Sequence, residues 1–300
     1  MLTRKKKHII LKFFGMFSVV RGYNILIIVI AQYLTSIYIL AHHKPLKDVL
    51  FDFNLFMLVF ASSLAIAAGY IINNFYDSEK DLINKPLKSK LDKLVSQNTK
   101  LSFYFVLNFT AVIMASYVSF KAVMFFSAYI FVIWFYSHKL KKILFIGNLT
   151  SAMLTIAPFF IVFLYYKNFE TVIFVHALFL FLIIYMRELI KDLENVKGDL
   201  LQGYKTIPVL YGERFSKKML TILWSLTFIP IGLLLFKFEI GLMYLYFCVS
   251  IFLLLVFVLM LWKSKNKIHY LILHNILKCI ILTGVFSILL IDVSVILNRI

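Results

Sequence analysis

"HALFLFLIIYMRELIKDLENVKGD", residues 176–199, decides what kind of fold this chain can adopt. It begins as a run of apolar side chains and ends with Glu188, Asp192, Glu194 and Asp199. The whole sequence contains only 14 acidic residues against 32 Lys and Arg, so four carboxylates at the end of one apolar run are a marked concentration. The stretch predicts a membrane-spanning helix followed by an acidic segment.

Apolar runs of similar length recur along the rest of the chain. The sequence is 62% hydrophobic and 15% charged, which is more apolar surface than a water-soluble core of 300 residues needs. A helix crosses the hydrocarbon layer with about 20 residues. The runs that approach this length are 22–41, 53–72, 102–120, 122–137, 143–165, 171–186, 219–236, 240–262 and 270–292. We therefore expect an all-α, polytopic membrane bundle of about nine helices, forming a single membrane domain over residues 1–300.

The basic residues predict how these helices are oriented. With the N-terminus inside, the inner segments, among them the basic segment 1–16, carry 24 Lys or Arg and the outer segments carry six. Positively charged loops stay on the cytoplasmic side, so we expect a cytoplasmic N-terminus in a protein of the cell inner membrane. The charges border spans and do not line one soluble face, so nucleic acid is not an expected partner. Nothing in the sequence indicates an obligate protein partner.

A second concentration of acids, "NNFYDSEKD" (73–81), follows the second apolar run. Asn73, Asp77 and Asp81 are spaced i, i+4 and i+8, so a continuing helix places them on one face. We call these three residues the first acidic stripe. Like charges at this spacing repel each other and destabilise an isolated helix, which favours a bound cation.

In the opening stretch Glu188, Asp192, Asn195 and Asp199 are spaced i, i+4, i+7 and i+11, which also places them on one helical face. We call Asp192, Asn195 and Asp199, the candidate ligands on this face, the second acidic stripe. Carboxylate and amide oxygens suit Mg²⁺ and disfavour Zn²⁺, which prefers His and Cys. Because Mg²⁺ takes one or two carboxylates and completes its shell with water and phosphate oxygens, the stripes predict a Mg²⁺-bound diphosphate. Ordinary solvated helix ends are the other interpretation, and two stripes with regular spacing on separate helices argue against it.

A transporter is the alternative from another functional class. Transporters place acidic residues in the membrane, but favour midplane sites in broken helices. Here the acids follow the predicted spans at their inner ends, and Gly and Pro do not interrupt two matching spans. The pattern therefore favours an enzyme over a transporter.

At these residues the chain resembles the UbiA-type family of intramembrane prenyltransferases. Its first motif, Asn-x-x-x-Asp-x-x-x-Asp, is matched by the first acidic stripe, and its second motif by the second. Two further motifs are matched by "RGYN", through Arg21 and Asn24, and by "YSHKLKKILFIGN", through Tyr136, Ser137, Lys141, Gly147 and Asn148. After the second stripe, Gly203, Thr206 and Pro208 match the end of the second motif.

Within the family, residues 187–199 look most like the branch that makes digeranylgeranylglyceryl phosphate. Two departures stand out. Asn195 occupies a position where that branch usually has Asp, and "LKSKLDKLVSQ" (87–97) replaces a basic, proline-rich tail after the first motif. Because this tail differs, the sequence defines the acceptor less closely than it defines the reaction.

The resemblance implies Mg²⁺-dependent transfer of a polyprenyl group, geranylgeranyl in this branch, from its diphosphate to an acceptor. The acceptor is a lipid, geranylgeranylglyceryl phosphate, or alternatively an aromatic compound of quinone biosynthesis, and the prenyl tail lies between helices among membrane lipids. The implied catalytic residues are Asp77, Asp81, Asp192 and Asp199, which bind the metal together with Asn73 and Asn195. The implied substrate-binding residues are Arg21, Asn24, Tyr136, Ser137, Lys141, Asn148, Lys191 and Lys205. The active site is expected on the cytoplasmic side.

Overall fold

The computed structural model describes residue 12 and residues 14–292, and every longer regular element in this part of the chain is helical. The helices are α1 (Gly22–Thr35, continued by a π-helix over Ser36–Leu40), α2 (Leu46–Leu50), α3 (Phe53–Tyr76), α4 (Ser78–Asn84), α5 (Pro86–Asp92), α6 (Gln97–Val118), α7 (Phe120–His138), α8 (Ile146–Tyr166), α9 (Thr171–Leu201), α10 (Ile207–Lys237), α11 (Tyr244–Lys263) and α12 (Lys267–Ser287). Short 3₁₀ turns occupy Leu140–Lys142, Gly241–Met243 and Ile288–Leu290.

Nine helices within the described residues are long and apolar enough to cross a membrane, which confirms the predicted all-α membrane fold. The sixth predicted run, 171–186, is only the first half of α9, because the helical pattern continues through the acidic segment to Leu201. Similarly, α10 begins at Ile207, well before the predicted start at 219, and Gly212 interrupts its helical backbone with φ +77°. Residues 1–11, 13 and 293–300 lie outside the described part, and the orientation of the chain stays a prediction.

The described residues form two compact units. The first contains the residues up to Val29 together with Phe56–Leu140, and the second contains Ile30–Leu55 and the residues from Lys141 onward. The first acidic stripe therefore belongs to the first unit and the second acidic stripe to the second. The expected single domain over residues 1–300 stays a prediction.

In the first unit, small residues let α3 pack closely. Ala61, Ala65 and Ala68 are buried along it. A Cβ added to Gly69 would lie 3.0 Å from a methyl carbon of Ile133 on α7. Small side chains of this kind are typical of helix packing in membranes, where helices gain little from excluding water. They fix the end of α3, from which the first acidic stripe begins.

In the second unit, α9 is the central helix and packs against α8, α10 and α12. Its side chains at Ile183, Met186, Leu189 and Ile190 are fully buried, immediately before and within the acidic segment. Because the same continuous helix carries the core and the second acidic stripe, core packing sets the position of the carboxylates.

Candidate active site

The first acidic stripe crosses a break between two helices. Although α3 ends at Tyr76 and α4 begins at Ser78, the Asp77 N–H donates to the Asn73 carbonyl at 2.9 Å. The Asp81 N–H donates to the Asp77 carbonyl at 2.8 Å. These bonds continue the i to i−4 pattern across the break, so Asn73, Asp77 and Asp81 share one face, as expected. All three residues are partly exposed.

Arg21 and Asn24 lie beside α3, where both contact Tyr70. The Arg21 guanidinium lies 5.0 Å from the centre of the Tyr70 ring, and Asn24 Nδ2 donates to the Tyr70 hydroxyl at 3.2 Å. Arg21 has a left-handed backbone (φ +52°), a conformation that costs a non-glycine residue free energy and often marks a functional site. Sequence reasoning missed Tyr70, although it stands one helical turn before Asn73 on the same helix.

The second acidic stripe lies on the uninterrupted helix α9. Asn148, buried in the first turn of α8, donates its Nδ2 hydrogen to Asp192 Oδ2 at 2.7 Å. Asn195 is buried and donates its Nδ2 hydrogen to the Lys191 carbonyl at 2.7 Å, which fixes the orientation of its amide. Asp199 is fully buried. The structure thus brings Asn148, a residue of the separate lysine-containing motif, to the second acidic stripe.

Two of the four acids in the opening stretch form ion pairs of their own. Glu188 is buried, with Oε2 2.9 Å from Lys191 Nζ and Oε1 3.5 Å from an Arg187 nitrogen. Glu194 Oε2 lies 3.5 Å from Nδ1 of His274 on α12, an attraction that requires protonated histidine. Glu188 thus pairs with neighbours on α9, whereas Glu194 contacts α12, and the ammonium of Lys191, expected to bind substrate, contacts Glu188.

A tight loop before α8 places two lysines against one aromatic ring. Lys141 is buried with Nζ 6.0 Å from the centre of the Tyr204 ring, and Lys142 Nζ is 5.4 Å from it. A Cβ added to Gly147 would lie 3.0 Å from the Lys141 carbonyl oxygen, so the loop can pack this closely only because residue 147 has no side chain. The exposed Lys205 is joined to the loop through its N–H, which donates to the Lys142 carbonyl at 3.1 Å.

Two buried hydroxyls at motif positions have no hydrogen-bond partner among the described residues. They are Ser137 Oγ on α7, in the first unit, and Thr206 Oγ1 before α10, in the second. Buried polar atoms in folded proteins are nearly always paired, so each hydroxyl fits a site for a polar ligand. Tyr136, beside Ser137, is partly buried.

The donor set of both stripes fits Mg²⁺. All candidate ligand atoms are carboxylate or amide oxygens, the type that hard cations prefer. Among the described residues, no three His, Cys, Asp or Glu side chains gather into a group that could enclose a metal.

An apolar cavity of about 160 Å³ lies in the second unit. Thr35, Phe163, Ala177, Phe179 and Ile281 are among the residues that line it. Along α9, Phe179 stands 13 residues before Asp192, a distance of about 20 Å at the helical rise per residue. The cavity is therefore separated from the second stripe by roughly the length of an extended lipid tail.

Comparison with known proteins identifies the family. The model of the UbiA prenyltransferase family matches residues 18–269. Digeranylgeranylglyceryl phosphate synthase of Thermococcus sibiricus is 33% identical over 228 residues, covering 76% of this chain and 78% of the relative. The synthase of the same name from Methanobrevibacter smithii is 31% identical over 209 residues, covering 66% of this chain and 70% of the relative.

Solved structures share the fold at lower identity. A structure of digeranylgeranylglyceryl phosphate synthase superimposes with a TM-score of 0.70 at 23% identity, over 92% of this chain and 97% of the other. A UbiA homolog from Archaeoglobus fulgidus, bound to GPP and Mg²⁺, superimposes with a TM-score of 0.67 at 13% identity, over 91% of this chain and 99% of the other. The resemblance carried by the motifs is thus confirmed, and the chain belongs to the UbiA prenyltransferase family.

Proposed function

We propose that this protein transfers a geranylgeranyl group from its diphosphate to geranylgeranylglyceryl phosphate within the membrane, in a reaction that requires Mg²⁺. The main support is the second acidic stripe, where Asn148 holds Asp192 at 2.7 Å on the stretch that most resembles the ether-lipid branch. The relatives from Thermococcus sibiricus and Methanobrevibacter smithii carry the name of that activity.

In this proposal the two acidic stripes bind the metal ions that accompany the donor diphosphate. The carboxylates of Asp77, Asp81, Asp192 and Asp199 are the catalytic ligands, with the amide oxygens of Asn73 and Asn195 as further ligands. Bound Mg²⁺ supplies a Lewis acid that stabilises the charge developing on the leaving diphosphate. The chain's own contribution is to orient these oxygens: Asn148 fixes the Asp192 carboxylate, and the Lys191 carbonyl fixes the Asn195 amide.

Basic and polar side chains then hold the diphosphate while the allylic C–O bond breaks. A guanidinium forms several parallel hydrogen bonds to phosphate oxygens, whereas an ammonium acts as a point charge. The residues assigned to diphosphate binding and orientation are Arg21, Asn24, Tyr136, Ser137, Lys141, Asn148, Lys191 and Lys205. The buried hydroxyl of Ser137 supports this assignment, because a phosphate oxygen would accept its hydrogen bond.

The cavity in the second unit fits the far end of a prenyl tail. It is lined mostly by apolar side chains, with Thr35, His176 and Tyr246 as the polar ones, so a tail would have few polar groups to desolvate. A chain of four isoprene units extends roughly 20 Å at ordinary single-bond lengths, which matches the spacing between Asp192 and Phe179 along α9. We also propose that the reaction takes place at the cytoplasmic side, where the Lys- and Arg-rich segments are expected.

Product analysis tests the proposal directly. The purified full chain, in detergent or lipid with Mg²⁺ and geranylgeranyl diphosphate, is offered geranylgeranylglyceryl phosphate, hydroxybenzoate or dihydroxynaphthoate, and the products are identified by mass spectrometry. We expect an ether-lipid product that depends on Mg²⁺ and is absent with the Asp192→Ala variant.

Each other outcome contradicts a defined part of the proposal. A product from an aromatic acceptor alone would retain the prenyl transfer and overturn the lipid acceptor. Undiminished product after removal of divalent cations would overturn the metal assignment. No product from any acceptor would overturn the proposed activity.

A further inference from the structure

The link between the spanning helices α3 and α6 contains two short helices, α4 and α5, whose apolar side chains face outward. Their exposed apolar residues are Leu82, Ile83, Leu87 and Leu91, with exposed fractions of 42%, 44%, 79% and 49%. All four belong to the first unit. The described part of the chain therefore leaves an apolar face open on this link.

The inward face of α5 is polar instead. Ser89 and Asp92 are 5% and 4% exposed. Asn74 Nδ2 on α3 donates to Asp92 Oδ2 at 2.7 Å, and the buried Lys100 on α6 donates from Nζ to the Asn74 amide oxygen at 2.9 Å. A buried charge is tolerated where hydrogen bonds and an opposite charge compensate it. Polar contacts thus fasten α5 to α3 and α6, the reverse of a helix that packs its apolar side on a core.

These polar contacts also fix the rotation of α5. Leu87 and Leu91 are four residues apart and lie on one side of the helix, whereas Ser89 and Asp92 face the chain. Rolling the helix to bury the leucines would pull Asp92 away from Asn74. The leucines consequently stay on the outside, where contact with water is unfavourable for so much apolar surface.

The exposed charges beside these leucines are basic. Lys90 and Lys93 are exposed, whereas Asp92, the acid of α5, is buried. Glu79 on α4 is the exposed acid within residues 78–93, and the two lysines outweigh it. We call Leu87, Lys90, Leu91 and Lys93 the outer face of α5. Segments that combine Leu and Lys in this way bind at the surface of membranes that contain anionic lipids.

The neighbouring spans place the outer face of α5 near such a surface. Helix α3 ends at Tyr76 and α6 begins at Gln97, and both are long and apolar enough to cross a membrane. Residues 77–96 therefore link two spans on one side of the bilayer, within reach of its headgroups. In the orientation that the basic segments predict, this side is the cytoplasmic leaflet, where anionic lipids are concentrated.

We propose that the outer face of α5 is a docking surface for anionic membrane lipids. Its leucines lie among the upper acyl chains, and its lysines contact the headgroup phosphates. The buried contacts of Asp92 determine which side of the helix faces the bilayer. The inference gives a role to "LKSKLDKLVSQ", the segment that departs from the family pattern, and it does not depend on the proposed reaction. The link that carries the first acidic stripe is thereby held at the level of the headgroups.

A second protein surface is the competing occupant of an exposed apolar face. Basic residues around the face would suit an acidic protein as well as an anionic lipid. The attachment of α5 to two spanning helices favours the lipid, because the headgroups lie beside the link without any further association.

Depth measurements with a spin label test the proposal. The full chain with Cys248→Ala and Cys279→Ala, whose exposed thiols would otherwise react, receives either Leu87→Cys or the control Lys93→Cys. The labelled proteins are placed in nanodiscs of phosphatidylcholine with phosphatidylglycerol. Electron paramagnetic resonance then measures collisions with oxygen, which partitions into lipid, and with a water-soluble nickel chelate. We expect the ratio of oxygen to nickel accessibility to be severalfold higher at position 87 than at position 93.

Each other result at position 87 contradicts the proposal. An equal ratio at positions 87 and 93 would mean that the leucines face water. Low accessibility of position 87 to both oxygen and nickel would mean that protein covers the leucines, either a partner or another part of this chain. Neither measurement needs turnover, so both stand whether or not prenyl transfer is confirmed.

The basic residues have a separate readout. In phosphatidylcholine alone we expect the ratio at position 87 to fall about twofold, because the lysines lose their anionic partners. The double variant Lys90→Gln with Lys93→Gln should lose this dependence on phosphatidylglycerol. Lys263→Gln with Lys265→Gln, exposed lysines at the link between α11 and α12, is the matched control and should retain it. The same ratio with and without phosphatidylglycerol would overturn the anionic lipid as the partner.

Discussion

The two acidic stripes have nearly the same spacing in the sequence but lie in different surroundings. The first crosses from α3 to α4 and its three residues are partly exposed. The second lies on the single helix α9, where Asn195 and Asp199 are buried. A buried carboxylate depends more strongly on its hydrogen-bond donors than an exposed one, because water cannot replace them. We therefore expect activity to depend on the neighbouring hydrogen-bond donors at the second stripe, and mainly on the carboxylates themselves at the first.

Loss of one carboxylate from each stripe should have the largest effect. We expect Asp77→Ala and Asp192→Ala each to lower kcat/KM for the prenyl diphosphate by a factor of about 10² to 10³, the range for losing a group that stabilises transition-state charge. Glu79→Gln is the matched control, since Glu79 is an exposed acid of the first segment that lies off the stripe. Unchanged activity in either Ala variant would remove that stripe from the site.

Loss of a supporting hydrogen bond should show that the second stripe depends on its neighbours. Asn148→Ala removes the donor to Asp192 Oδ2, and we expect activity to fall about 10-fold to 100-fold with a higher Mg²⁺ requirement, as for groups that orient metal ligands. Leu149→Ala, at the exposed neighbouring position, should have no such effect. If added Mg²⁺ does not restore any of the lost activity, Asn148 does not act through a metal ligand.

One added methyl group should disturb the loop before α8 that carries Lys141 and Lys142. In Gly147→Ala the new Cβ would meet the Lys141 carbonyl oxygen at 3.0 Å, so the loop must shift. We expect the donor KM to rise about tenfold, while the temperature of unfolding changes little. Gly232→Ala, where a Cβ meets nothing within 4 Å, is the control. A normal donor KM in Gly147→Ala would show that Lys141 does not bind the diphosphate.

The smallest effect is expected at Asn195, where the second stripe differs from the ether-lipid branch of the family. Asn195→Asp adds a carboxylate but loses the donor to the Lys191 carbonyl, so the side chain must turn away from that carbonyl. We expect activity to be retained and the Mg²⁺ concentration for half-maximal rate to fall severalfold. An unchanged Mg²⁺ dependence would show that residue 195 is not a metal ligand.

Sequence reasoning predicted the helices and the stripes more fully than the side chains around them. The apolar runs and the i, i+4 spacing of Asn73 and Asp77 follow from the local chain, so they can be recognised without a fold. Tyr70 was missed because its contacts with Arg21 and Asn24 join residues 46 to 49 positions apart. The spacing leaves Glu194 off the second stripe, but its partner could not be predicted, since only the packing of α12 against α9 brings His274 to it.

The sequence by itself determined that the chain is a helical membrane protein with two acidic stripes and that its motifs are those of a prenyltransferase family. These properties depend on hydrophobicity and helical periodicity, which are local. Only the tertiary structure decided which carboxylates are buried, that Asn148 donates to Asp192, and that Asn74 donates to the buried Asp92. Such contacts arise between distant segments, and their free energies depend on how completely packing excludes water from each polar group.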